Sequence, residues 1–234
     1  MAPMPGGEMA SRPLHFIWIV DCSGSMGADG KIQALNTAID ESLPGMRQVA
    51  AENPNADVLI RAIAFSHGAQ WHVSQPTKAE AFNWSPLAAS GATDMGKALS
   101  MVAEQMDVAQ MGDHGLPPVL VLISDGQPTD DYKTGLNALL AKPWGKKAVR
   151  IAIAVGSDAD TDVLQAFINN PEIKPLEAKN ADQLVGYIKW ASTAVLKSAS
   201  QPVSQAAGSK APAANVQVPQ APSQGDLSAA GDVW

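Results

Sequence analysis

Apolar residues along this chain fall into two alternating patterns. The first is a short, mostly apolar run: Phe16 to Val20 before Asp21, Val58 to Phe65, Val119 to Ile123 before Ser124, and Ala148 to Val155. Such runs, with no strict polar alternation, mark strands buried on both faces, as in a parallel sheet covered by helices. The second pattern repeats every three or four residues. Ile32, Leu35, Ile39, Leu43 and Met46 place a helix over 31–49, which Pro44 is expected to kink or end. Leu184, Ile188, Ala191 and Val195 place another over 181–196. Further helices are expected over 95–106, with Asp94 as its N-cap, and over 132–140 and 160–168.

Ser66-His67-Gly68 reads as a tight turn, and 69–73 as a short strand returning antiparallel at the sheet edge. Strands alternating with helices specify an α/β architecture. We expect a doubly wound, mostly parallel six-stranded sheet with one short antiparallel edge strand and helices on both faces. Residues 14–198 form this domain. Residues 1–13, rich in Pro, Gly and Met, read as a flexible arm. Residues 199–234, rich in Ala, Pro, Gln and Ser, bury too little apolar surface to offset their ordering entropy and read as a flexible tail. Its prolines suit a linker better than a docking peptide, for which Leu227, Val233 and Trp234 would be the anchors.

Composition narrows the function. With 46% hydrophobic residues among 234, the core needs no staples, and the single cysteine, Cys22, forms no internal disulfide. A net charge of −7 argues against a nucleic-acid footprint. Apolar runs of this length are far too short to cross a bilayer, and residues 1–13 lack the charged-then-apolar order of a signal peptide. We expect a cytoplasmic protein that engages neither nucleic acid nor membrane.

The chemistry gathers where the apolar runs end. Asp21-Cys22-Ser23-Gly24-Ser25 sets a carboxylate and two hydroxyls at alternate positions, D-x-S-x-S. Gly91-Ala92-Thr93-Asp94 and Ser124-Asp125-Gly126 are two further loops at the same expected edge. Ligands of open α/β sheets bind at the carboxyl ends of the strands. Oxygen donors alone suit a hard cation such as Mg²⁺.

These three loops resemble the von Willebrand factor A family and its metal-ion-dependent adhesion site. The family motif is D-x-S-x-S, then a threonine, then an aspartate, and all parts match in order. The resemblance implies a Rossmann-like fold and a metal held by Ser23, Ser25 and Thr93. Asp125 would bind it directly or through water, and Asp21 through water while orienting the serines. It implies Mg²⁺, with Mn²⁺ or Ca²⁺ as alternatives, and a partner protein that offers an Asp or Glu to the metal. Ser23 to Gly27, Lys31 to Ile39 and Ile123 to Asp130 look most like the bacterial TerY-like branch. That branch is associated with tellurium resistance and stress response, beside a protein kinase and a PPM-type phosphatase. Asp94 departs from the pattern, since many relatives carry an uncharged residue there, and its charge works against an acidic partner group.

A non-enzymatic interaction module is thus the leading reading. A metal-dependent phosphoester hydrolase is a second, although the chain lacks the carboxylate-rich cluster, the phosphate loop and a base beside the metal. A scaffold with a purely structural metal is a third. Asp130 and Asp131 read as a solvated helix start favoured by the dipole, and Cys22 as an inert core thiol. His67, His72 and His114 have no Cys or Glu at zinc spacing. Trp71 and Trp84 either form an exposed surface near the site or pack beneath the loop.

Overall fold

The computed structural model describes residues 11–125, 127–201, 216–223 and 227. Among these, six strands form one sheet: β1 (Arg12–Asp21), β2 (Ala56–Ser66), β3 (Gly68–Lys78), β4 (Val119–Ser124), β5 (Val149–Val155) and β6 (Leu176–Ala178). Their order is β3-β2-β1-β4-β5-β6, and only the β2–β3 pair is antiparallel. The chain therefore winds outward from β1 in one direction and from β4 in the other. The β1–β4 boundary is the point of reversal, where open sheets leave a crevice for ligands. The expected α/β architecture is the observed one.

Two cores sandwich the sheet. Leu14, Phe16, Trp18 and Val20 of β1 face one layer, with α1 (Lys31–Glu52), α7 (Ala181–Trp190), a π turn (Ala191–Val195) and α8 (Leu196–Ser200). Ile17 and Ile19 face the other, with α2 (Met95–Gln105), α3 (Val108–Met111), α4 (Tyr132–Ala141), α5 (Pro143–Lys147) and α6 (Thr161–Ile168). Every residue of β4 and β5 is buried, which is why neither strand shows polar alternation. Helices α2 and α4 cross at two glycines. A Cβ on Gly135 would lie 2.2 Å from the Gly96 carbonyl oxygen, and one on Gly96 would lie 2.5 Å from that of Asp131. This close approach brings the loops before the two helices together.

Several local expectations need correction. Helix α1 does not end at Pro44 but continues to Glu52. Pro44 and Asp40, whose carbonyl loses its partner, are both exposed, so the freed oxygen lies on the solvent side of the helix. The edge strand β3 is not short but eleven residues long, with register shifts opposite Ile60, Ala62 and Ile63. Strand β1 begins at Arg12. Its first residues pair with β2 alone, β4 joining only at Phe16, so the missing N–H of Pro13 breaks no ladder. Within the segment read as a flexible tail, Ala199 and Ser200 finish α8, and Val216, Val218 and Leu227 pack on the α1–α7 layer. The other part of the arm, residues 1–10, lies outside the described residues.

One buried cluster at the amino end of β1 is polar. His15 and Arg61, 4% and 3% exposed, share the face of Ile17 and Ile63. Arg61 bonds Gln105 at 2.9 Å and stacks over Trp71 at 5.2 Å. His15 Nδ1 and Arg61 Nε have no partner among the described residues. Burial, then the Arg61 charge, holds the His15 imidazole down at about 4. The unfolded chain takes a proton near pH 6.5 that the folded chain refuses until about pH 4, so this residue removes stability as pH falls across that window. The expected share is about 3 kcal/mol. Denaturant melts from pH 4 to 7 should show His15→Leu losing less stability on acidification than the parent. Parallel curves would mean that His15 protonates freely in the folded state.

Candidate metal centre

Strands β1 and β4 end side by side, and their last residues begin the site. Asp21 is fully buried. One carboxylate oxygen accepts from the Ser23 backbone N–H at 2.7 Å, and the other from the Ser124 hydroxyl at 2.5 Å. These bonds turn the chain after β1 into the 3₁₀ stretch Gly24–Gly30 and aim the serines at the loop after β4. The Ser23 and Ser25 hydroxyls lie 2.9 Å apart, and the Ser25 hydroxyl donates to the Asp125 carboxylate. Ser23 and Asp125 are buried while Ser25 is exposed, so the cluster opens to solvent on one side.

Burial is the main force on Asp21 and pushes its carboxyl up to about 6. The hydrogen bonds from Ser124 and Ser23 oppose this, and the nearby Asp125 charge adds to it. Cys22 is buried, and its thiol is pushed up to about 12 by burial and then by Asp21, as expected for an inert core residue.

The second loop joins through its backbone. Gly24 N–H donates to the Gly91 carbonyl at 3.0 Å, and Ser90 N–H to the Cys22 carbonyl at 2.8 Å. Gly91 sits at φ 79°, and a Cβ there would lie 3.2 Å from that of His67, so glycine suits both conformation and space. Thr93 is buried; its N–H donates to the Thr129 hydroxyl at 2.9 Å, and its carbonyl accepts from Thr129 N–H at 2.9 Å. The five residues expected at the metal, Asp21, Ser23, Ser25, Thr93 and Asp125, thus sit on three adjoining loops at the carboxyl edge. Direct side-chain bonds link Ser23, Ser25 and Asp125, with Asp21 behind them.

Of the acidic neighbours, Asp131 starts α4 as expected, whereas Asp94 and Asp130 make other bonds. Asp94 occupies the N-cap position of α2, but its side chain makes no capping bond to that helix. Its carboxylate accepts from Gly68 N–H at 2.7 Å and from the Thr129 hydroxyl at 3.1 Å, tying the β2–β3 turn to the loop before α4. Asp130 takes the capping role instead, accepting from Gly96 and Lys97 N–H, each at 2.8 Å. Asp131 caps α4 through Thr134. Sequence reasoning missed Thr129 and Asp130 as organisers, because their partners, in the loop before α2 and in its first turn, lie more than thirty residues away. Trp84 packs beneath the loop, donating to Asn36 at 3.0 Å and lying 4.8 Å edge-on to His72. Trp71 lies against Arg61.

The donor chemistry fits a hard cation. The Ser23 and Ser25 hydroxyls converge on the Asp125 carboxylate, with that of Asp21 behind them, and no group of three or more His, Cys, Asp or Glu suited to a metal gathers among the described residues. Beside Asp125 lies an open cleft of about 790 Å³, lined by Gln127, Asp130, Tyr132, Lys133, Asp158 and Asp160.

The von Willebrand factor type A domain model matches residues 17–188, and the chain belongs to that family. Solved structures with this fold include the ArnB paralog VWA2 from Sulfolobus acidocaldarius, at 17% identity and a TM-score of 0.57, over 77% of this chain and 46% of that one. A von Willebrand factor type A protein from Catenulispora acidiphila matches at 15% identity and a TM-score of 0.59, over 80% and 43%. Proximal thread matrix protein 1 from the mussel byssus, with a zinc-occupied MIDAS motif, matches at 18% identity and a TM-score of 0.60, over 79% and 48%. The chain spans less than half the length of each of these three. No curated protein matches it. No helix among the described residues is long and apolar enough to cross a membrane.

Two outcomes test the assignment. Mg²⁺ at a hundredfold excess over its dissociation constant should stabilise the fold by about 2.7 kcal/mol in thermal melts. Asp21→Ala, or Ser23→Ala with Ser25→Ala, should abolish that gain; an undiminished gain would place the ion elsewhere. Asp94→Ala should instead lower stability by about 2 kcal/mol while leaving the Mg²⁺ gain in place, since it braces the loops without facing the cation.

Proposed function

We propose that this domain is a non-catalytic, metal-dependent protein-interaction module that captures an acidic side chain of a partner protein. The observation that carries this reading is the convergence of Ser23, Ser25 and Asp125, with buried Asp21 fixing the turn between them. Ser23, Ser25 and Thr93 would hold a Mg²⁺-type ion through neutral oxygens, with Asp125 beside them and Asp21 behind. When bound, the ion supplies uncancelled positive charge at an open coordination position. Neutral hydroxyls leave most of that charge available, and a carboxylate is the group best suited to meet it. The zinc-occupied motif in the mussel relative supports a divalent ion at such a site, and we take Mg²⁺ as the resident ion, with Mn²⁺ or Ca²⁺ as substitutes.

The surroundings refine the partner. Asp158, Asp160 and Asp130 line the cleft beside Asp125, and only Lys133 among its lining residues is basic. A segment offering one acid to the metal should therefore carry Lys or Arg next to it. Asp94 does not spoil this chemistry, because both of its oxygens are engaged by Gly68 and Thr129. The TerY-like resemblance of the Ser23-to-Gly27, Lys31-to-Ile39 and Ile123-to-Asp130 motifs supports a role in a bacterial stress-response or tellurium-resistance system. A protein kinase or a PPM-type phosphatase is the proposed partner.

Calorimetric titration against each candidate, with and without Mg²⁺, tests the mechanism. Binding should need the ion and vanish with a chelator. Thr93→Ala should weaken it at least tenfold with little change in melting temperature. On the partner, changing one acidic residue to its amide should remove most of the affinity. Equal affinity with and without the ion would refute the metal bridge.

A further inference from the structure

Helices α7 and α8 hold an extended segment of this same chain. Over Val216 to Ser223, Gln217, Gln220 and Ser223 are exposed, and Val216, Val218, Pro219, Ala221 and Pro222 are partly buried. Exposure thus returns every third residue. Two prolines lie in the segment, and neither a helix nor a strand forms there. A period of three without internal hydrogen bonds is that of polyproline II. The hydrogen bonds agree, because the two carbonyls used are also three apart: Ser198 Oγ donates to Gln217 at 2.5 Å and Trp190 Nε1 to Gln220 at 3.2 Å.

The spacing of the donors matches this rise. Ser198 and Trp190 stand about 12 Å apart along the helix axis, and one turn of polyproline II advances about 9 Å, a gap the two side chains cover. The segment therefore runs antiparallel to α7 and α8. Further along it, Leu227 seats over Gly186, where a Cβ would come within 2.5 Å of its side chain. Val216, Val218 and Leu227 complete the contact with the layer beneath. An indole N–H donating to a carbonyl of an extended, proline-containing segment is how aromatic-lined grooves read such peptides.

We propose that this face is a peptide-docking groove for polyproline II segments, and that residues 216–223 of the same chain, with Leu227, are its resident, exchangeable ligand. No described residue of the segment is fully buried, and side-chain donors engage it at Gln217 and Gln220, so its hold is that of a ligand and not of a core element. The groove selects by backbone: it needs two carbonyls one polyproline turn apart, small or proline residues between them, and a leucine for the Gly186 seat.

The test uses the full chain with a protease site placed between Gln201 and Val216. After cleavage, a fluorescein-labelled peptide of residues 216–227 is titrated and anisotropy is read. We expect saturable binding to the cleaved protein, competition by unlabelled peptide, and none by a scrambled one. The uncleaved chain, its groove filled, should bind the probe at least tenfold more weakly. Ser198→Ala and Trp190→Phe should each weaken binding about fivefold, and Gly186→Val should weaken it further, each with folding checked by circular dichroism. Equal binding to cleaved and intact protein would overturn the proposal, as would no binding at 1 mM or a fragment that the peptide never displaces. A dimer by light scattering that cleavage dissolves would assign the segment to the neighbouring copy and overturn the occupancy in cis.

Discussion

The loops of the candidate centre depend on one buried carboxylate. Asp21 ends the strand at the middle of the sheet, and its side chain has no access to solvent. Desolvation there disfavours the charged form, and the structure answers with donors on both oxygens, the Ser23 N–H and the Ser124 hydroxyl. Those two bonds decide where the chain goes after β1 and how it sits against the end of β4. Without them the serines would have no fixed direction, and the loop after β4 would have no neighbour to meet. A cation in front of this carboxylate would also relieve the cost of its burial, because bound ions invert the local charge logic. Position, charge and chemistry thus converge on a single residue.

A second set of contacts holds the remaining loops in register with that residue. Thr129 sits between the Thr93 backbone and the Asp94 carboxylate, and Asp94 reaches back to Gly68 in the β2–β3 turn. Asp130 crosses from the loop before α4 to the first turn of α2, where free N–H groups and the helix dipole favour a carboxylate. The glycine contact between α2 and α4 allows this crossing. The carboxylates of Asp94 and Asp130 are therefore held in place by backbone donors and a hydroxyl.

The sheet was legible because buried parallel strands read as mostly apolar runs without strict polar alternation, and β1, β2, β4 and β5 are all of that kind. Strand β6 is three residues long and carries Glu177, so no run announces it. Pro44 does not end α1, because it lies on the exposed side of a helix whose apolar stripe continues to Val49, and that exposure cannot be seen in a pattern of letters. The five candidate positions were picked out by spacing within one loop and resemblance across three, and the structure sets them on adjoining loops. Asp94 and Asp130 were not, since each serves an element remote in sequence, and a capping rule looks only at its own helix. The seating of residues 216–223 was hidden for a different reason. Few of its side chains are large and apolar, and its hold uses backbone carbonyls, which every sequence has.

The choice of serine over a third or fourth carboxylate follows from what a hydroxyl can do at once. Ser25 gives its single proton to Asp125 and stands 2.9 Å from Ser23, yet each oxygen keeps lone pairs. A carboxylate at either position could only accept, and it would repel Asp21 and Asp125 in a site where burial already strains one of them. With hydroxyls, the same atoms bridge the acidic groups and face a cation, and the loop order does not have to change between the two tasks. Neutral oxygens also leave the charge of such a cation exposed on the open side at Ser25. The property that makes the cluster stable enough to fold is therefore the one that would make it attractive to an external carboxylate.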